Sequence, residues 1–272
     1  MMARWTLDDI PWQKFDPAKV EPEILRLVKA ASLVEQNGGD YARYLCGVFH
    51  DDPDFQEVAR HWGAEEIQHG QALGRWAMLA DPGFDHAAAS VRFTAGFRVD
   101  LAAGASVRGS RSGELVARCI VETGTSSYYT ALAEAAEEPV LKAICHKIAA
   151  DEFRHYKLFL THLQRYLAEE GIGFWRRIRI AAGRVRESED DELSYAYHAA
   201  NEPDRRYERR RSARAYFRRV YAVYRWHHVE RGIAMAFKAV GLKPHGRLNL
   251  WTARLAWWGM RRHRQRLDRL AA

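Results

Sequence analysis

Apolar residues recur along this chain three or four positions apart, and the alternation expected of strands is nearly absent. Ile24, Leu25, Leu27, Val28, Ala31, Val34 and Leu45 form a stripe that predicts a helix from about Pro22 to Phe49, with a kink expected at Gly38-Gly39. His50-Asp51-Asp52-Pro53 is a turn in which Asp52 can cap a second helix and Pro53 can take its first position. That helix should run to about Ala80 and stop at Asp81-Pro82-Gly83. Residues 84–110 form a long connection, partly helical around 86–100 and broken by Gly104, Gly109, Ser110 and Ser112. A third helix is predicted from about Gly113 to Glu137, and a fourth from Glu138-Pro139 to about Glu170, ended by Gly171-Ile172-Gly173. Residues 1–20, punctuated by Pro11 and Pro17, predict an extended lead-in. The order is helix, short turn, helix, long crossover, helix, short turn, helix. It predicts an all-α four-helix bundle over residues 1–172.

After Gly173 the pattern changes to basic, aromatic helical segments at 174–187, about 203–240 and about 247–270, with Glu187 to Glu192 as an acidic linker. Residues 173–272 therefore form a second region. They hold 24 Lys/Arg against 10 Asp/Glu, a balance of +14, whereas residues 1–172 hold 18 against 25, or −7. The net +7 thus conceals an acidic part and a basic part, and the basic part suggests an anionic partner. With 47% hydrophobic residues the chain can bury a sizeable core. No run of about 18 uncharged apolar residues predicts a transmembrane helix, and the N-terminal residues lack the apolar core of a signal peptide. Cys46, Cys119 and Cys145 are odd in number and widely spaced, which suits reduced thiols and a cytoplasmic location. No C-x-x-C pair encodes a rubredoxin-type iron centre or a zinc ribbon.

Two short motifs carry the candidate chemistry. Glu66-x-x-His69 and Glu152-x-x-His155 each place a carboxylate and an imidazole on one helix face. Glu35 lies 31 residues before Glu66, and Glu122 lies 30 before Glu152. With turns centred near residues 51 and 137, all four glutamates stand about 22 Å from their turns at a rise of about 1.5 Å per residue. Either pair alone is more simply a surface pair on a helix. Together they form four Glu and two His at one height, the ligand set of a di-iron carboxylate site in a four-helix bundle. Carboxylates bridge hard metals and imidazole suits iron, although manganese shares much of this chemistry. Glu66 and Glu152 are the expected bridges and Glu35 and Glu122 the expected terminal ligands. Asp151 and Glu65, each just before a motif Glu, are candidates to accept a hydrogen bond from the far nitrogen of a ligand His.

The flanks carry a resemblance. Trp62-Gly63-Ala64-Glu65-Glu66-Ile67-Gln68-His69-Gly70 resembles the first iron motif of soluble acyl-carrier-protein desaturases, roughly W-x-A-E-E-N-R-H-G. LKAICHKIAADEFRH at 141–155 resembles the region of that family's second motif, I-A-A-D-E-K-R-H. Thr125, three after Glu122, matches a threonine that the family keeps near its oxygen-binding side, where Gly124 and Ser126 would also lie. The resemblance covers roughly residues 30–170. The chain departs from it at Ile67-Gln68, at Tyr156, in its shorter length and in its basic tail. The resemblance implies a ferritin-like fold with one long crossover and two iron ions that activate dioxygen for C–H oxidation of a fatty-acyl-type substrate, by desaturation or hydroxylation. It also implies an external electron donor such as a ferredoxin. The competing expectations are a rubrerythrin-like peroxidase or ferroxidase, and a non-catalytic helical protein that keeps the metal for stability.

In the tail, Arg205, Arg206, Arg209, Arg210, Arg211, Arg214, Arg218 and Arg219 interleave with Tyr207, Tyr216, Phe217, Tyr221 and Tyr224. Leu248, Trp251, Leu255 and Trp258 then share one helical stripe. The first expectation is that these stripes pack on the bundle, with the arginines solvated or paired to its acidic surface and with some docking of an anionic partner such as an acyl carrier protein. An anionic membrane surface comes second, and nucleic acid third. A homodimer is a further partner expectation. His227-His228 is not expected to bind metal.

Overall fold

A computed structural model of the protein describes residues 5–187 and 191–271. All its regular elements are helical, and no strand occurs among the described residues. Three short 3₁₀ turns between Leu7 and Lys19 precede the helices α1 (Pro22–Gln36), α2 (Gly38–Val48), α3 (Pro53–Ala80), α4 (His86–Gly96), α5 (Arg111–Ala135) and α6 (Pro139–Glu170). The C-terminal part adds α7 (Phe174–Glu187), α8 (Asp191–Asn201), α9 (Arg209–Val223), α10 (Trp226–Val240) and α11 (Arg247–Ala271).

The long helices begin and end where the sequence provides caps. The Asp52 carboxylate accepts the Phe55 N–H at 3.0 Å, with Pro53 at the first position of α3. The Glu138 carboxylate accepts the N–H groups of Val140 and Leu141 at 3.2 and 2.8 Å, starting α6. The same buried carboxylate takes the Trp76 indole N–H at 2.6 Å, tying α6 to α3. Gly171 ends α6 in the left-handed region, at φ 63°, where a side chain would be strained.

Helix α1 lies along α3, α5 lies along α6, and α3 meets α6. Two apolar cores run through these helices. One contains Leu27, Trp76, Tyr129 and Ile144; the other contains Leu45, Phe55, Leu115 and Phe159. Along α3, α5 and α6, and along the α1–α2 run, the residues between the two cores are the motif glutamates and histidines.

Several expectations are corrected. The predicted helix over 22–49 is divided at Asn37 into α1 and α2. Close packing on α3 accounts for the glycines there. A Cβ on Gly38 would lie 2.3 Å from Glu66 Cβ, and one on Gly63 would lie 2.5 Å from Ala42 Cβ. A Cβ on Gly70 would lie 2.4 Å from the Gln36 backbone nitrogen. The N-terminal lead-in is folded and buries Trp5 and Ile10 instead of running extended. The predicted segment 203–240 is two helices, because Tyr224 and Arg225 are both extended. Helix α8 was not anticipated. Its buried face is Ser194, Ala196, Tyr197, Ala199 and Ala200, too small and polar to give an apolar period, yet suited to close packing on α1 and α4. Of the acidic linker, Glu187 ends α7, Asp191 and Glu192 open α8, and 188–190 lie outside the described residues.

The turn at Gly171–Gly173 separates α6 from α7, but both cores continue past it. Tyr197, Tyr216, Phe217 and Val220 join the first core, and Ile180, Met235 and Val240 join the second. In α9 the aromatic residues face inward, while Arg218 and Arg219 pair with Glu23 of α1. The stripe on α11 does the opposite of what was expected. Leu248, Trp251, Leu255 and Trp258 are exposed, and Asn249, Ala253 and Leu267 form the buried side. No helix among the described residues is long and apolar enough to cross a membrane.

Candidate metal centre

Six predicted residues meet between the two cores. Glu35 comes from α1, Glu66 and His69 from α3, Glu122 from α5, and Glu152 and His155 from α6; all are buried. They form two overlapping groups, Glu35–Glu66–His69–Glu152 and Glu66–Glu122–Glu152–His155, with the ligand atoms of each within 4.8 Å of one another. Glu66 and Glu152 belong to both. His69 Nδ1 lies 3.2 Å from Glu152 Oε1, 3.6 Å from Glu66 Oε2 and 3.8 Å from Glu35 Oε2. His155 Nδ1 lies 3.1 Å from Glu66 Oε1, 3.7 Å from Glu122 Oε2 and 3.9 Å from Glu152 Oε1.

The outer nitrogens are engaged. His69 Nε2 lies 3.0 Å from Asp151 Oδ2, and His155 Nε2 lies 2.7 Å from Glu65 Oε2. The pairing is crossed: the carboxylate before each motif Glu serves the histidine of the other helix. Arg154 bridges the two acceptors, donating to Asp151 at 2.5 Å and to Glu65 at 3.1 Å. With each Nε2–H given to a carboxylate, each Nδ1 lone pair faces inward.

The inner atoms are not satisfied by the protein. Glu66 Oε1, His69 Nδ1, both oxygens of Glu122, Glu152 Oε1 and His155 Nδ1 are buried without a hydrogen-bond partner among the described residues. A buried polar atom without a partner costs about 1–3 kcal/mol, and here six converge. Such a set fits cations with oxygen and nitrogen ligands, so the cluster can hold metal.

The electrostatics of the protein groups alone agree. Burial, then neighbouring Glu66, pushes the Glu35 carboxyl well above the usual carboxylate range. Burial with Glu152 and Glu66 does the same to Glu122. Burial opposes charge on His155, but Glu65 and Glu66 outweigh it and raise the ring to about 9. His69 is raised well above its ordinary value, burial being overcome by Asp151, Glu152, Glu35 and Glu66. Burial would lift Asp151, yet His69 and Arg154 hold it at about 2. Protons are thus drawn to the inner ring, where divalent cations would provide the same positive charge.

Thr125 lies beside the site, its hydroxyl donating to Glu152 Oε2. Ser126 faces α6, donating to the Ala149 carbonyl at 3.3 Å, while Gly124 is exposed and turned away. Two site neighbours escaped the sequence. Tyr129 is buried two turns after Glu122, and its hydroxyl donates to Glu35 Oε1; the seven-residue spacing was an available signal. Trp5 roofs His69 with parallel rings 5.8 Å apart, and its indole N–H donates to Asp151 Oδ2 at 2.7 Å. Gln68 holds the Trp5 carbonyl at 3.0 Å. No local pattern could have brought a residue of the lead-in to this place.

A third group, Glu134, His227 and His228, lies where α10 begins beside α5. His228 Nδ1 accepts the Arg225 N–H at 3.0 Å, so the neutral ring carries its proton on Nε2, which faces Glu134 at 3.2 Å. No lone pair of that ring remains for a cation. This group is a polar clasp between two helices.

No family model matches the chain, and no curated protein matches it.

Proposed function

We propose that the six-residue cluster binds two iron ions and that the chain is a ferritin-like non-haem di-iron oxidase or oxygenase. Its reaction is the O2-dependent C–H oxidation of a fatty-acyl-type substrate, by desaturation or hydroxylation. The observation that supports this most is the set of inward Nδ1 and carboxylate atoms without partners, combined with outer Nε2 atoms already engaged. Manganese would satisfy the same donors. Two divalent ions would balance four carboxylates by formal charge, offsetting the cost of burying them.

Glu66 and Glu152, which belong to both groups, would hold both ions, Glu35 and His69 would hold one, and Glu122 and His155 the other. Metals held there would supply the redox chemistry needed to reduce dioxygen and oxidise a C–H bond. Asp151 and Glu65 fix the imidazole tautomers, and Arg154 donates to both acceptors and helps keep Asp151 ionised. Tyr129 steers one oxygen of Glu35 and leaves the other for ligation. Thr125 holds one oxygen of Glu152 and carries an exchangeable proton at the edge of the cluster. Electrons would come from an external donor such as a ferredoxin. The acyl substrate class rests on the resemblance of residues 62–70 and 141–155 to acyl-carrier-protein desaturases.

Metal content provides the direct test. Purified protein should hold close to two iron or manganese ions per chain, and a Glu66→Ala/Glu152→Ala variant should hold none while keeping its helical circular dichroism. Wild-type protein that binds no metal ends the proposal. Comparison of fatty-acyl profiles in cells with and without the protein tests the substrate class. Peroxide turnover by the iron form without acyl oxidation would instead assign a rubrerythrin-like activity.

A further inference from the structure

The outward face of α11 carries what an anionic bilayer surface would recognise. Leu248, Trp251, Leu255 and Trp258 follow one another at helical spacing and are 61%, 66%, 67% and 53% exposed. They lie opposite the side that α11 packs on α9 and α10 through Asn249, Ala253 and Leu267. An indole on solvent is costly, and here two share one stripe with two leucines. Further along, Arg261, Arg262, Arg264, Arg266 and Arg269 leave the helix strongly cationic, against a single acid, Asp268. Arg254 lies 5.8 Å from the Trp251 ring and Arg262 lies 4.4 Å from that of Trp258, so guanidinium groups flank the apolar stripe.

We propose that α11 is an interfacial helix by which the protein docks on an anionic phospholipid bilayer, with its Trp/Leu stripe at the acyl boundary and its arginines among the headgroups. The residue types decide between occupants. Tryptophan favours the interfacial layer, and arginine can reach phosphates from a helix lying in that plane. A second copy of the chain would bring one cationic row against another. No helix among the described residues is long and apolar enough to cross, so the proposed contact is with the surface. The proposal is independent of the metal centre and is tested without activity.

The full-length protein is floated with vesicles of phosphatidylcholine alone and of phosphatidylcholine with phosphatidylglycerol, at low and high salt. Binding to the anionic vesicles should be at least tenfold tighter and should weaken in high salt, with a blue shift of tryptophan emission. A Trp251→Ser/Leu255→Ser/Trp258→Ser variant, whose changes are all on the exposed side, should lose tenfold or more while melting like the wild type. An Arg261→Gln/Arg262→Gln/Arg266→Gln variant should lose the preference for anionic lipid. Equal binding by wild type and the serine variant, or no binding to either vesicle, overturns the proposal. So does a self-association in solution that the serine substitutions abolish, because the stripe would then belong to a second copy.

Discussion

The two halves of the candidate centre use the same motif and are finished differently. On the His69 side, Asp151 accepts from the imidazole, from Trp5 and from Arg154, and Trp5 covers the ring. Its terminal carboxylate, Glu35, is held by Tyr129. On the His155 side, Glu65 accepts from the imidazole and Arg154, and the His155 ring lies 5.9 Å from that of His69. The α5 carboxylate on that side, Glu122, has no hydrogen-bond partner for either oxygen among the described residues. A repeated motif thus supplies both groups, while Trp5 and Tyr129 make the His69 side the rigid half.

Ligand deletions should separate the halves most clearly. Glu152→Ala removes a carboxylate shared by both groups and should abolish binding of both metals, whereas Glu122→Ala touches one group and should leave about one metal per chain. Elemental analysis of the folded variants reads the difference; equal loss from both would mean that the two positions are not separable.

Acidity gives the next largest effect. In chelated protein, His155 sits at about 9 against an ordinary 6.5, so its contribution to stability is fully present below 6.5 and is lost as pH rises through 9. Glu35 and Glu122 are raised too, so above their ordinary range the folded state holds more protons than the unfolded one, and the sign is the same. Chelated protein should therefore be less stable at pH 9 than at pH 6.5 by roughly 3 kcal/mol, and metal-loaded protein should lose much less. Urea titrations at the two pH values check this, and stability that increases toward pH 9 would contradict it.

Outer-acceptor substitutions should be milder and unequal. Asp151→Asn and Glu65→Gln should each weaken metal binding about 10–100-fold. Asp151→Asn should be the worse of the two, because it also disturbs the hydrogen bond from Trp5. Competition with a fluorescent chelator ranks them. Tyr129→Phe should be smallest, costing about 1 kcal/mol or less in the thermal melt of loaded protein and loosening the rigid half alone.

Much of this centre was legible from the sequence because helical rise is constant. Glu35, Glu66, Glu122 and Glu152 could be placed at one height by counting from two turns, and the caps Asp52 and Glu138 mark the helix starts. The crossed acceptors Asp151 and Glu65 are adjacent to the motifs and so were visible as candidates. Trp5 was not, because its position depends on how the N-terminal turns fold back rather than on any period. Helix α8 was hidden by small residues, whose value lies in close approach rather than hydrophobicity. The α11 stripe shows the converse limit: its period was plain, but periodicity does not tell whether a face meets protein or solvent.

The position of the polar ring between two apolar cores has a consequence for how the protein comes apart. In the metal-free chain the ring is a seam of buried polar groups held together only by the protons they share across the middle of its helices, and the cores on either side can loosen separately. Two bridging metals would rivet that seam from all four helices. Loading should then convert a broad, stepwise melt into a single cooperative one, so that the centre would serve as the joint between two halves of the fold.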